Sequence, residues 1–84
     1  MEVKKAVAKI NDLIEDHSMP KRIKVVLEKI VEDLRNEEQD VAVKVTSAIY
    51  ELEDVTNDIN IPMHAKTALW DLVSDLEAIK HEEE

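Results

Sequence analysis

The feature that most constrains the fold of this chain is an internal repeat with a period of 42 residues. Residues 19–34 read MPKRIKVVLEKIVEDL, and residues 61–76 read IPMHAKTALWDLVSDL. Alignment of each residue with the one 42 positions later gives ten identical pairs, far more than this composition gives by chance: Val3/Val45, Ala6/Ala48, Asp12/Asp54, Asp16/Asp58, Pro20/Pro62, Lys24/Lys66, Leu27/Leu69, Val31/Val73, Asp33/Asp75 and Leu34/Leu76. The repeat predicts two copies of one structural unit.

Apolar residues recur every three or four positions within each copy, which is the spacing of one face of an α-helix. Four such stripes run along the chain: Val3, Val7, Ile10, Ile14; Ile23, Leu27, Ile30, Leu34; Val41, Val45, Ala48, Leu52, Val55; and Ala65, Leu69, Leu72, Leu76, Ile79. Helices of this length are marginal alone in water, so the stripes must be buried against one another. We therefore predict an all-α four-helix bundle of two antiparallel hairpins, 3–35 and 41–80, forming a single domain over residues 1–84.

Prolines and capping residues predict where the helices begin and end. Pro20 and Pro62 fit the first turn of a helix, and Ser18 and Asn60 precede them as expected capping residues. Asp40 is the expected cap of the third helix. These signals predict helices near 3–16, 20–35, 41–57 and 62–80, followed by a fraying tail, HEEE. A period near forty also suits stacked helical repeats, but two units are too few for an array unless the chain oligomerises.

Composition narrows the classes of function. The chain lacks Gly, which disfavours strand hairpins, and lacks Cys, which excludes disulfides and thiolate metal sites. No apolar run approaches the ~20 residues needed to span a bilayer, so we expect a cytoplasmic protein. The net charge of −9 is uneven, because residues 1–35 carry eight Lys or Arg against seven Asp or Glu, whereas residues 36–84 carry three against thirteen. An acidic chain disfavours sequence-independent nucleic-acid binding.

Residues 48–79, AIYELEDVTNDINIPMHAKTALWDLVSDLEAI, resemble a small archaeal family of unknown function, the uncharacterised protein family zero-one-four-seven. The resemblance is most distinctive at Asn57–Asp58, Pro62, His64, Thr67 and Trp70, and it covers nearly the whole chain. It implies a four-helix fold and an archaeal, cytoplasmic source, but no biochemical function. Ile59 stands where the family often has proline. Lys66 stands where the family often has arginine, and this second difference weakens any bidentate recognition of an anion that the resemblance implies.

Trp70 is the first candidate for an interaction residue. It lies about 100° round the helix from Leu69, at the edge of the stripe, and its equivalent in the first copy is Glu28. An exposed tryptophan would suit contact with a partner or a second subunit, whereas a buried one would close an end of the bundle. Val43 and Tyr50, off the stripe and seven residues apart, could extend the same surface, or Tyr50 could pack sideways over the core with its hydroxyl in water. His64 is a further candidate because its equivalent in the first copy is Arg22.

Charged residues near the proline loops give two further candidates. Asp12/Asp16 and Asp54/Asp58 place like charges one turn apart near helix ends, which predicts compensation by loop hydrogen bonds or by the next helix. Binding of a divalent cation is the alternative, although more oxygen ligands would be needed. Lys21, Arg22 and Lys24 could contact an anion at the start of the second helix, or simply neutralise the acidic residues.

The histidines show no metal-ligand spacing, and the serines and threonines have no spaced His–Asp partner, so we expect neither a cofactor, a metal nor an enzyme. His64, Asp58 and Thr67 near one helix start would be the weak exception. The sequence favours a helical module that binds another protein or a second copy of itself. The alternatives are an accessory protein of RNA, using the basic face from Pro20 to Lys29, and a small metal- or ligand-dependent enzyme.

Overall fold

The four apolar stripes correspond to four α-helices in the computed structural model, which describes residues 2–83. They are α1 (Val3–Glu15), α2 (Lys21–Leu34), α3 (Val41–Thr56) and α4 (Met63–Glu83). No strand occurs within this range. The predicted all-α four-helix bundle is therefore confirmed.

The core consists of the centres of the predicted stripes. Its members include Ile10, Leu27, Leu52, Leu69, Leu72 and Leu76, each with no exposed surface. Burial of an aliphatic side chain of this size contributes roughly 1.5–3 kcal/mol, which explains why helices that would be marginal alone are stable together. Stripe residues nearer the helix ends, namely Val3, Ile14, Val41 and Val55, are only partly buried against this core.

Contacts between side chains define how the helices run. Arg22 at the start of α2 pairs with Asp58 just after α3, whereas Lys29 farther along α2 pairs with Glu51 earlier in α3, so these two helices are antiparallel. Each helix contacts its two neighbours in the order α1, α2, α3, α4 and back to α1. The end of α1, the start of α2, the end of α3 and the start of α4 consequently lie at one end of the bundle.

α2 and α4 begin one residue after Pro20 and Pro62, which the sequence placed in the first turns of these helices, and two further details differ from the sequence predictions. Ser18 does not cap α2: Pro20 occupies that position without a side-chain cap, because the Ser18 hydroxyl is turned toward Asp16 and donates to its carboxylate at 2.7 Å. The fourth helix, which the sequence predicts to end near residue 80, continues to Glu83, and Lys80 and His81 of its last turn lie at the negative end of the helix dipole. Glu84 lies outside the described residues.

The predicted cap of α3 is present. The Asp40 carboxylate accepts a hydrogen bond of 2.8 Å from the backbone N–H of Ala42. This bond satisfies one of the N–H groups that have no partner within the helix, and it fixes where the linker between the two hairpins ends.

Candidate functional site

The loops 16–20 and 57–62 have the same hydrogen bonds at positions 42 residues apart. Asp16 accepts the backbone N–H of Ser18, and Asp58 accepts that of Asn60, both at 2.8 Å. The carbonyl oxygens of the same two aspartates accept the N–H groups of residues 19 and 61, at 3.1 and 3.4 Å. The hydrogen bonds offset the unfavourable carboxylate spacing at these helix ends.

Two contacts join the loops to each other's hairpin. Arg22 forms an ion pair with the Asp58 carboxylate, and the Nε2 atom of the His64 ring lies 3.0 Å from the backbone carbonyl oxygen of Ser18. Each contact spans from one hairpin to the other. This end of the bundle is thus held by polar contacts over the apolar core.

The hydrogen bonds also lower the pKa of both loop carboxyls. The Ser18 hydroxyl and then its N–H stabilise the charged form of Asp16, so that its pKa lies below the usual value. The Asn60 N–H and then the Arg22 guanidinium do the same for the pKa of Asp58. Both aspartates are therefore ionised under neutral conditions and act as acceptors in their loops.

Two of the three predicted anion-contact residues, Lys21 and Lys24, line one open pocket together with His17 and Glu28, whereas Arg22 does not. Arg22 is engaged with Asp58, Lys21 is exposed, and Lys24 is half-buried. Lys29, farther along α2, forms an ion pair of 2.8 Å with Glu51. Two cations of the basic face are thus directed to acidic residues of the second hairpin.

The three residues that would be the weak exception as a catalytic site, Asp58, His64 and Thr67, each contact different partners. The Thr67 hydroxyl donates to the carbonyl oxygen of Met63 at 3.0 Å, His64 contacts Ser18, and Asp58 contacts Arg22 and Asn60. Among the side chains that the structure describes, those of residues 2–82, no group of three or more His, Cys, Asp or Glu is placed to hold a metal ion. The hydrogen bonds of Asp58, His64 and Thr67 thus hold the loop and the start of α4.

The outer surface of α3 and α4 presents large apolar side chains to solvent. Val43 is 59% exposed, Tyr50 is 68% exposed, and Trp70 is 53% exposed. Neither the Tyr50 hydroxyl nor the Trp70 indole N–H forms a hydrogen bond with the described part of the chain. We refer to Val43, Tyr50 and Trp70 as the aromatic face.

Helix geometry places the two aromatic residues at one level of the bundle. Tyr50 lies seven residues before Asn57, where α3 has ended, and Trp70 lies seven residues after Met63, where α4 begins. At 1.5 Å per residue, each is about 10 Å from the connecting loop. Trp70 thus lies along the side of the bundle and does not close its end.

The angular positions of side chains around α3 and α4 place the aromatic face away from the core and from the contact between α4 and α1. On α4, Asp71 and Asp75 are turned toward α1, where both bind the ammonium group of Lys9. Trp70 is about 140° round the helix from Asp75, on the side away from α1. Tyr50 is about 160° round α3 from the buried Leu52, so it projects away from the core.

Sequence reasoning missed a groove of about 540 Å³ at the opposite end of the bundle. Val3, Lys4, Val7, Ala8, Asn11, Leu34, Arg35, Glu37 and Lys44 line it. The available signal was Lys44, which lies three residues after Val41 and four before Ala48 and so interrupts the apolar stripe of α3. The groove is open and forms where the linker between the hairpins leaves α2.

Known proteins resemble this chain over most of its length. The sequence model of the uncharacterised protein family UPF0147 matches residues 1–79. A UPF0147 protein of Methanocaldococcus jannaschii is 35% identical over 80 residues, covering 94% of this chain and 86% of that protein. A UPF0147 protein of Methanothermobacter thermautotrophicus is 37% identical over 71 residues, covering 84% and 70%.

A solved structure has a similar fold. The crystal structure of the unknown-function protein MMP1188 superposes with a TM-score of 0.81 at 33% sequence identity, covering 89% of this chain and 85% of that one. No helix in the described range is both long and apolar enough to cross a membrane. With its sequence match, its archaeal relatives and its four-helix fold, the chain belongs to the uncharacterised protein family UPF0147.

Proposed function

We propose that this protein is a non-enzymatic helical module that binds another protein through the aromatic face of α3 and α4. The observation that carries the proposal is the exposure of Trp70 and Tyr50 at one level of the bundle, on adjoining helices. Tryptophan and tyrosine, together with arginine, are enriched at the energetic centre of protein interfaces. Both have an unused hydrogen-bonding group that a partner can engage.

The charge around this face favours a basic partner. Glu53 and Asp54, three and four residues beyond Tyr50, are exposed and form no ion pair within residues 2–82. Residues 36–84 as a whole carry thirteen acidic residues against three basic ones. Lysine and arginine side chains of a partner could pair with these carboxylates and stack on Trp70.

Self-association through the same face is less favourable. In a two-fold dimer each patch meets its own copy, so Glu53 and Asp54 of both chains would approach each other across the interface. Like charges brought together in this way oppose association. The first hairpin, with an excess of one basic residue in 1–35, offers little compensation. A homodimer is therefore an alternative outcome of the test below.

The basic face of α2 gives less support to the RNA-accessory alternative. Arg22 and Lys29 are already paired with Asp58 and Glu51. The two aromatic residues that could stack on bases are on α3 and α4, in the acidic half of the chain. Phosphate contacts from Arg22 and Lys29 would require these two ion pairs to be exchanged, which leaves Lys21 and Lys24 as the unpaired cations of this face in the described structure.

Affinity capture with matched surface variants tests the proposal. Immobilised wild type, Trp70→Ala, Tyr50→Ala and Val25→Ala would be incubated with a native lysate, with Val25 as control because it is 60% exposed on α2. We expect one basic protein to be retained by wild type and Val25→Ala, lost from both aromatic variants and released by rising salt. Identical capture by all four proteins, or a retained species that is only the chain itself, would contradict a basic partner at this face.

A further inference from the structure

The groove at the linker end of the bundle combines an apolar wall with basic side chains. Its volume of about 540 Å³ is within the range of small-molecule sites, roughly 300–1,000 Å³. Val3, Val7 and Ala8 of α1, together with Leu34 of α2, supply the apolar wall. These four side chains can contact an aliphatic chain but offer it no hydrogen bond.

Three cations and one acid line the same groove. Lys4, Arg35 and Lys44 share the lining with Glu37, although the whole chain has a net charge of −9. None of the three cations forms an ion pair with a carboxylate in the described structure. The local excess of positive charge therefore contrasts with the acidic surface elsewhere.

Lys44 is the unusual member of this group. It is only 7% exposed, and its Nζ atom donates to the backbone carbonyl oxygen of Asn36 at 3.0 Å. A lysine is seldom buried without a carboxylate partner, because removal of the ammonium group from water is unfavourable. A bound anion would supply the missing negative charge while the Asn36 contact remains.

The second hairpin does not reproduce this groove. The residues 42 positions after Lys4, Ala8 and Arg35 are Thr46, Tyr50 and Glu77. The basic residues are thus replaced by a neutral and an acidic one, and the small alanine by a tyrosine of the aromatic face. The copies share their core but differ in the residues that make the groove basic.

We infer that this groove binds an aliphatic anion, with its charged head at Lys44, Arg35 and Lys4 and its chain along Val3, Val7 and Ala8. A carboxylate or a phosphate ester can be the head, because lysine and arginine recognise both. The lining has no aromatic residue on which a nucleobase could stack, which favours an aliphatic body over a nucleotide. This site is independent of the aromatic face.

An NMR titration of the ¹⁵N-labelled full chain tests the inference, with decanoate and decyl phosphate as probes below their micelle concentrations and uncharged decanol below its solubility limit. Amide shifts are expected to centre on Val7, Ala8, Leu34 and Lys44, with decanol binding about tenfold more weakly than decanoate because it lacks the charge-assisted hydrogen bond. Comparison of decanoate with decyl phosphate identifies the preferred head group. Equal binding of decanol and decanoate, or shifts centred on Tyr50 and Trp70, would overturn the inference.

Variants on both sides of the groove separate binding from folding. Lys44→Met keeps the apolar stem and removes the charge, and about tenfold weaker decanoate binding is expected. Ala8→Leu, at an exposed position, should weaken binding by occupying the apolar wall while the cations remain. Lys66→Met is the matched control on α4, outside the groove, and should bind as wild type does. Unchanged affinity in both Lys44→Met and Ala8→Leu would overturn the site.

Discussion

Asp16 and Asp58 lie 42 residues apart and accept the same hydrogen bond, from the backbone N–H two residues later, at 2.8 Å in each loop. The internal repeat therefore extends beyond the apolar stripes to the polar atoms of the loops. Because Arg22 and His64 connect these loops across the hairpins, the equivalent ends of the two copies meet in one place.

The loop carboxylates should make folding stability dependent on acid pH. Hydrogen bonds from Ser18 and Asn60 lower the pKa of Asp16 and Asp58 in the folded chain, so the folded state binds fewer protons than the unfolded state. Their stabilising effect is present above the unfolded pKa of about 3.9 and is lost as pH falls through the lower folded pKa.

Urea unfolding of wild type and an Asp16→Asn/Asp58→Asn variant at a series of pH values measures this effect. Asparagine keeps an acceptor oxygen but cannot ionise. Wild type should be more stable at neutral pH, and the difference should shrink as pH falls below about 4. A difference that stays constant down to the acid limit would show that the charge of these carboxylates has no part in loop stability.

Replacement of the α3 cap should destabilise the protein measurably. Asp40→Ala removes the acceptor for the Ala42 N–H and should lower the free energy of unfolding by about 1 kcal/mol. Asp40→Asn retains an acceptor and should lose much less. Denaturant unfolding followed by circular dichroism provides the measurement, and equal stability of the alanine variant and wild type would argue against the cap.

Equivalent core positions should be comparably important in the two hairpins. Leu27 and Leu69 are both fully buried, so truncation of either to alanine should lower the free energy of unfolding by about 2–5 kcal/mol. Val25→Ala, at an exposed position of α2, should change it by no more than about 0.5 kcal/mol. A small effect at Leu69 beside a large one at Leu27 would show that the hairpins are not packed alike.

The helices could be predicted from the sequence because their burial follows a period. Leu27, Leu69 and their neighbours recur every three or four residues, and burial of that face determines which segments are helical. The cap at Asp40 was predictable because its partner is two residues away. The failure of Ser18 to cap α2 was not predictable, because Asp16 competes for the Ser18 hydroxyl and this competition depends on the loop conformation.

The candidate sites depend on which side chains are covered by neighbouring segments, and the repeat does not reveal this. The sequence indicated that Trp70 leaves the stripe, but not whether a neighbouring helix covers it, since coverage depends on how α3 packs beside α4. Lys44 was harder still to interpret. Its ammonium group donates to the carbonyl oxygen of Asn36 in the linker after Arg35, and no period in the sequence describes the path of that linker.

The fluorescence of Trp70 should report the exposure of its side chain directly, since it is the only tryptophan in the chain. A residue with 53% of its surface exposed should emit at long wavelength in the isolated protein and be quenched readily by acrylamide. Binding of a partner at the aromatic face should shift the emission to the blue and reduce quenching. Strongly blue-shifted, unquenched emission from a monomer verified by sedimentation would place Trp70 in the core instead.

Photo-crosslinking from the aromatic face tests the central claim most directly. p-Benzoylphenylalanine would replace Tyr50 in one protein and Val25 in another, and each would be irradiated in a native lysate, with and without Trp70→Ala. We predict a crosslink from position 50 to a basic protein, its loss when Trp70→Ala is added, and no such crosslink from position 25. Crosslinks to the chain itself alone, or the same products from both positions, would contradict binding of a basic partner at this face.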